Sequence, residues 1–175
     1  ILPKYLFYVV KYMNLEKYQQ YSRIARGLEK ADLVLKDARI VNVFTEEIIR
    51  GDIAIQDGII AGIGSFHGKE ERDLAGRYVC PGFIDSHLHL ESTLVTPAEL
   101  VTAASRHGTT TFIVDPHESA NVSGLAGIDY ILDQTEDVKA NVYVMMPSCV
   151  PATAIDDNGC TLTAEDMVPY LHNSR

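Results

Sequence analysis

The feature that most constrains the fold of this chain is a repeat of strand ends. Apolar, β-prone runs finish at His87, at Asp115-Pro116 and at Pro147, about thirty residues apart. That is the length of a βα unit, a strand followed by a returning helix. Between the strand ends lie helix signals: Thr96-Pro97-Ala98-Glu99, with Thr96 as N-cap, Pro97 at the first helical position and Glu99 closing a capping box. This helix is expected to run to about His107 and to stop at Gly108. A second helix is expected over residues 123–133, with Leu125, Ile128 and Leu132 on one face, and a third is capped at Thr163-Ala164-Glu165-Asp166. Strand–helix alternation indicates α/β architecture with a parallel sheet. A three-unit open sheet and the opening third of a (β/α)8 TIM-type barrel have the same pattern at this level. A whole barrel takes roughly 250 residues, and only about 96 follow Val79, so a barrel here is expected to be incomplete. The first residue, Ile1, also fits a piece of a longer chain.

Two regions precede the repeat. Residues 1–30 read as an N-terminal amphipathic helix, with Leu15, Tyr18, Tyr21, Ile24, Ala25 and Leu28 at helical spacing and Gly27 near its end. Residues 31–79 read as a small, mostly antiparallel β-module, half of a β-sandwich, in which Asp57-Gly58 marks a tight hairpin because both central residues need positive φ. Residues 80–175 then hold the three βα units. The first region carries six Lys/Arg against two Glu, and the rest carries nine against twenty-two Asp/Glu. So acidic a body argues against binding to a nucleic-acid backbone, which needs cations against phosphates. The basic helix reads as a solvated face, with a partner-binding arm as the alternative. The longest apolar run, residues 5–10, is too short for a membrane span. Three widely spaced cysteines (Cys80, Cys149, Cys160) form neither a disulfide framework nor a zinc motif, which fits a reducing cytoplasm.

The chemistry concentrates in Pro81-Gly-Phe-Ile-Asp-Ser-His87-Leu-His89-Leu-Glu91. Residues i and i+2 of a strand project to the same side, so His87 and His89 are expected to offer two imidazoles to one divalent metal ion. Asp115, His117 and Glu118 fall at the end of the second strand, beside the first-strand histidines in a barrel. A carboxylate and an imidazole there suit substrate holding or proton transfer. The competing reading is a Pro-rigidified loop with Asp115 capping backbone. Glu91 is either a group that orients a ligand histidine or a loop charge. His107 reads as structural, and His67 and His172 as surface residues.

A β-module leading into P-G-F-I-D-S-H-L-H resembles the barrel entry of the amidohydrolase superfamily. Its continuation narrows the likeness: His87-Leu-His-Leu-Glu-Ser-Thr93, His107-Gly-Thr-Thr-Thr, Asp115-Pro-His-Glu118 with Asn121-Val122, and Pro147-Ser-Cys-Val-Pro-Ala-Thr153 resemble the adenine deaminase family over roughly residues 20–170. The resemblance implies hydrolytic deamination of adenine to hypoxanthine and ammonia by metal-activated water. It also implies a binuclear Mn(II) or Fe(II) centre; a homo-oligomer is expected when full length, and the charge, apolar runs and cysteines noted above add the expectation of a cytoplasmic location with no nucleic-acid or membrane partner. His87 and His89 map to metal ligands. The P-C-x-x-C element of the zinc deaminase pattern is absent, so that scaffold is not indicated.

A two-metal site needs more than two histidines, and after residue 122 His172 is the only one. The remaining ligands are expected beyond Arg175, and these residues alone are expected to be inactive. Two other readings stay open. One is another cyclic-amide or amidine hydrolase of the same superfamily, and the other is a non-catalytic truncated module acting through its basic helix.

Overall fold

Asp57 and Gly58 have φ of 52° and 75°, the paired left-handed conformation that closes a two-residue hairpin without splaying its strands. The hairpin joins β2 (Glu47–Gln56) to β3 (Ile59–Gly64), and β2 also pairs antiparallel with β1 (Ala31–Asn42). In this computed structural model, which describes residues 15–173, the chain divides between Pro81 and Gly82 into two units.

The first unit is one five-stranded sheet ordered β3-β2-β1-β4, with β5 (Tyr78–Val79) also on β1. The β3-β2-β1 pairing is antiparallel, as expected of a mostly antiparallel module, while β4 (Gly68–Asp73) and the short β5 run parallel to β1. The long β1 carries a bulge between Leu35 and Ala38, with Asp37 at φ 51°. That bend lets β4 and β5 take successive halves of one edge. Helix α1 (Leu15–Ala25) covers the sheet, burying Ile24 against Ala31, Val34, Ala54 and Phe66. Gly27 ends this helix region at φ 71°, and the part expected before residue 15 lies outside the described residues. A polar post ties the sheet together. Asp52, only 8% exposed, accepts from Lys36 Nζ and from the backbone N–H groups of Asp37 and Phe66. Burial alone would raise the Asp52 pKa, but these donors outweigh it and hold the carboxyl below its ordinary range.

The second unit is a three-stranded parallel sheet in the order β6 (Phe83–Leu88), β7 (Thr109–Val114), β8 (Asn141–Val144). Helix α2 (Pro97–Ser105) returns the chain from β6 to β7, and α3 (His117–Ser123) with α4 (Leu125–Gln134) returns it to β8. Strand alternation sorts the side chains. Phe112 and Val114 of β7 and Val142 of β8 pack with Val101 of α2 and Ile131 of α4 in a buried core. A second cluster, Ala120, Ile128, Leu132 and Val150, ties α3 and α4 to the segment after β8. Helix α5 (Ala164–Met167) starts with a realised capping box between Thr163 and Asp166 and runs into a 3₁₀ turn, Val168–His172. Among the described residues, no helix is long and apolar enough to cross a membrane.

Two local expectations need correction. Thr96 is the N-cap of α2 and Pro97 its first residue, but the Thr96 side chain makes no capping hydrogen bond. The fixed φ of Pro97 and burial of the helix face are enough to start the turn. The helical region expected from residue 123 begins earlier: His117–Ser123 form a separate short helix, α3, ahead of α4. Their apolar positions are too few to show a helical period, and Pro116 and the acidic Glu118 are the only start signals.

Candidate active site

Because all three strands run parallel, their carboxyl ends come to one edge of the sheet. There the backbones are joined in series: Asp115 N–H donates to Leu88 O and Met145 N–H to Val114 O, each at 2.8 Å. The first bond brings the residues after β6 and those after β7 side by side. Between Asp85 and Leu88, β6 spends three residues where β7 spends two, a bulge that re-aims side chains at the strand end. The Asp85 carboxylate accepts from the N–H of His87 inside that bulge, at 3.3 Å.

His87 ends up within β6 and His89 just after it. Their rings meet edge to face, centroids 4.9 Å apart, with the two Nε2 atoms 3.2 Å apart. The expected convergence of this pair is realised even though the strand stops at Leu88. Asp115 lies next to it, and one donor atom from each of His87, His89 and Asp115 falls within a 4.8 Å set. His117 opens α3 and puts its Nδ1 3.8 Å from Asp115 Oδ1, an ion-pair distance too long for a hydrogen bond.

Behind the histidines stands a second group, also within 4.8 Å of one another: His89, Glu91 and Glu118. Glu118 Oε2 is 2.8 Å from His89 Nδ1, close but without the alignment of a full hydrogen bond. Glu118 Oε1 accepts from Ser92 Oγ at 3.0 Å. Glu91, in the 3₁₀ turn Glu91–Thr93, accepts the Ser119 N–H at 3.0 Å and so anchors the start of α3 to the end of β6. Partial burial pushes the Glu118 pKa up. Its own N–H, Ser92, Glu91 and the charge of His89 pull it further down, leaving it below the ordinary carboxylate value.

Among the described residues, four buried side-chain atoms lack a hydrogen-bond partner: His89 Nδ1, Glu91 Oε2, Asp115 Oδ1 and Ser105 Oγ. Three of the four belong to this site. Buried polar atoms are costly to leave unmatched, so their concentration marks a place built for something other than packing. An open groove of about 460 Å³ adjoins it, lined by Glu91, Ser92, Glu118, Ser119 and Tyr130 among others.

Asp115, His117 and Glu118 are therefore brought to the histidines, while His67 (paired with Glu71) and His107 are not in the cluster. Sequence reasoning passed over Ser92. Its position directly after H-L-H-L-E was available, but its partner lies 26 residues on and depends on an unforeseen helix.

The model of the amidohydrolase family matches residues 78–172. The chain is 56% identical over 163 residues to adenine deaminase of Desulfitobacterium hafniense (strain Y51), covering 93% of this chain and 29% of that protein. It is 51% identical over 151 residues to adenine deaminase of Clostridium acetobutylicum, covering 86% of this chain and 26% of that protein. The chain thus spans less than a third of the curated relatives it matches. Among solved structures, the N-acyl-D-glutamate deacylase of Bordetella bronchiseptica, complexed with zinc and a phosphonate inhibitor, aligns with a TM-score of 0.56 at 21% identity. That alignment covers 80% of this chain and 34% of that one, a likeness of fold.

Proposed function

The chain belongs to the amidohydrolase family, and on that premise we propose that it is the N-terminal part of an adenine deaminase, which hydrolyses adenine to hypoxanthine and ammonia. The observation that carries this reading is the convergence of His87 and His89 beside an unmatched, mostly buried Asp115 carboxylate oxygen. It stands alongside about 50% identity to adenine deaminases. In this reading the three parallel strands open a (β/α)8 barrel, and the site lies at the strand ends where such barrels place their chemistry.

The donor set fits a divalent ion. His87 and His89 offer neutral Nε2 atoms, and Asp115 offers an oxygen that no protein donor satisfies. A divalent ion held there would bring the pKa of water toward neutrality, which is the chemistry that deamination requires. Manganese or iron, as two ions, is the form we propose from the family likeness, with the further ligands outside these residues. His117, whose Nδ1 lies 3.8 Å from Asp115 Oδ1, is the imidazole that accepts a proton from the attacking water and returns one to the departing amine. Glu91, through the Ser119 N–H, keeps α3 and hence His117 at the strand ends.

The test is ammonia release by the full-length protein, metal-depleted and then resupplied with Mn²⁺, against adenine, adenosine, hydantoin and dihydroorotate. Turnover of adenine alone is expected. Turnover of hydantoin or dihydroorotate instead would assign the chain to a different hydrolase. Residues 1–175 expressed alone are expected to release none.

A further inference from the structure

We propose that Glu118 is a positioning residue that acts on metal binding through His89 and makes no contact with substrate. The inference rests on the metal-site reading above and deepens it.

A histidine holds a metal through the nitrogen that carries a lone pair, and the other nitrogen must then carry the proton. In His89 the two nitrogens have distinct surroundings. Nε2 faces His87 Nε2 at 3.2 Å, and Nδ1 faces Glu118 Oε2 at 2.8 Å. Nδ1 is buried and has no other partner. A carboxylate accepts but cannot donate, so a proton on Nδ1 is favoured and the lone pair is left on Nε2, toward His87 and Asp115. The 2.8 Å separation is within hydrogen-bond range, and contacts of this kind that are poorly aligned without a ligand commonly tighten when one binds.

Glu118 is itself held from behind. Its second oxygen accepts from Ser92 Oγ, and its backbone is set by α3, whose start is pinned by Glu91 on the Ser119 N–H. The chain of contact runs Ser92, Glu118, His89. This arrangement assigns a purpose to Ser92 and to the His-Glu order that follows Pro116. Glu118 is thus approached on both oxygens by residues just after β6.

The test is titration of metal-free full-length protein with Mn²⁺, free ion being counted by electron paramagnetic resonance. Partners that orient a ligand histidine contribute about 10–100-fold to metal affinity. Glu118→Ala is expected to weaken Mn²⁺ binding by that factor. Glu118→Asp keeps the charge but withdraws it from Nδ1, and is expected to lose at least several-fold. Glu118→Gln keeps an acceptor at the same reach and is expected to recover most of the affinity. Wild-type affinity in both the Ala and Asp variants would overturn the proposal, as would a Gln variant no better than Ala. Should Ala fail to fold, the Asp and Gln pair decides the question alone. Absence of Mn²⁺ binding by the unaltered protein would instead remove the metal-site reading, and the role of Glu118 with it.

Discussion

Gly82→Ala isolates how the turn before β6 sets the histidines. A Cβ at residue 82 would lie 2.0 Å from Thr110 Oγ1, 2.6 Å from its Cγ2 and 2.8 Å from its Cβ. Both residues are exposed, so rotation about χ1 can swing the hydroxyl aside, at the cost a β-branched side chain carries. No rotation moves the Thr110 Cβ. Carbon pairs pack best at about 3.5–4.0 Å, so the two backbones must part by roughly 0.7 Å or more. That displacement falls next to the Phe83 N–H to Gly108 O bond and two turns of the pleat before His87. Overpacking of this size costs about 1–3 kcal/mol. A urea titration followed by circular dichroism should show that loss, and Mn²⁺ binding by the full-length protein should weaken with it. Thr110→Ala removes two of the three contacts, so the double variant should recover at least about 0.5 kcal/mol relative to additivity. A Gly82→Ala protein within about 0.5 kcal/mol of wild type would refute the steric reasoning.

Three further outcomes are expected. Phe112→Ala, at a position 1% exposed in the centre of the second unit's core, should cost about 3–5 kcal/mol in a denaturant titration. His87→Ala, at an exposed residue, should leave the urea midpoint nearly unchanged while reducing Mn²⁺ affinity beyond the roughly 10–100-fold expected for an orienting partner. The Asp52 carboxyl is held below its ordinary pKa, so its contribution is present above the unfolded-state value of about 3.9 and is lost as pH falls through the lower folded value. The urea midpoint of wild type should therefore drop steeply below about pH 4. Asp52→Asn should be less stable near neutrality and show a shallower acid limb; an unchanged acid limb would count against the Asp52 post.

Much of the fold could be read locally. The hairpin at Asp57-Gly58 and the cap at Thr163 depend on residues a few positions apart and appear as expected; the first two strands end within a residue of the expected points, at Leu88 and Val114, while the third stops at Val144, short of Pro147. The parallel partners of β1 were not legible, because which strand takes a free edge depends on the bulge at Asp37 and on chain segments thirty or more residues away. Helix α3 escaped because seven residues are too few to display a period. The Thr96 box has the right letters and no side-chain bond, since a proline start and a buried face already stabilise that helix.

The candidate site divides along the same line. That His87 and His89 face one way was written in their i, i+2 spacing, a property of any strand, and it persists through a bulge and the strand's end. That Asp115 joins them needed the Asp115 N–H to Leu88 O bond across the sheet. That Glu118 meets His89 needed a helix to begin at His117 and a turn at Glu91 to hold it. Periodicity is set by the backbone within a few residues and survives in the sequence. A contact across a βα crossover is set by the packing of a helix on a sheet, and only the folded chain decides it.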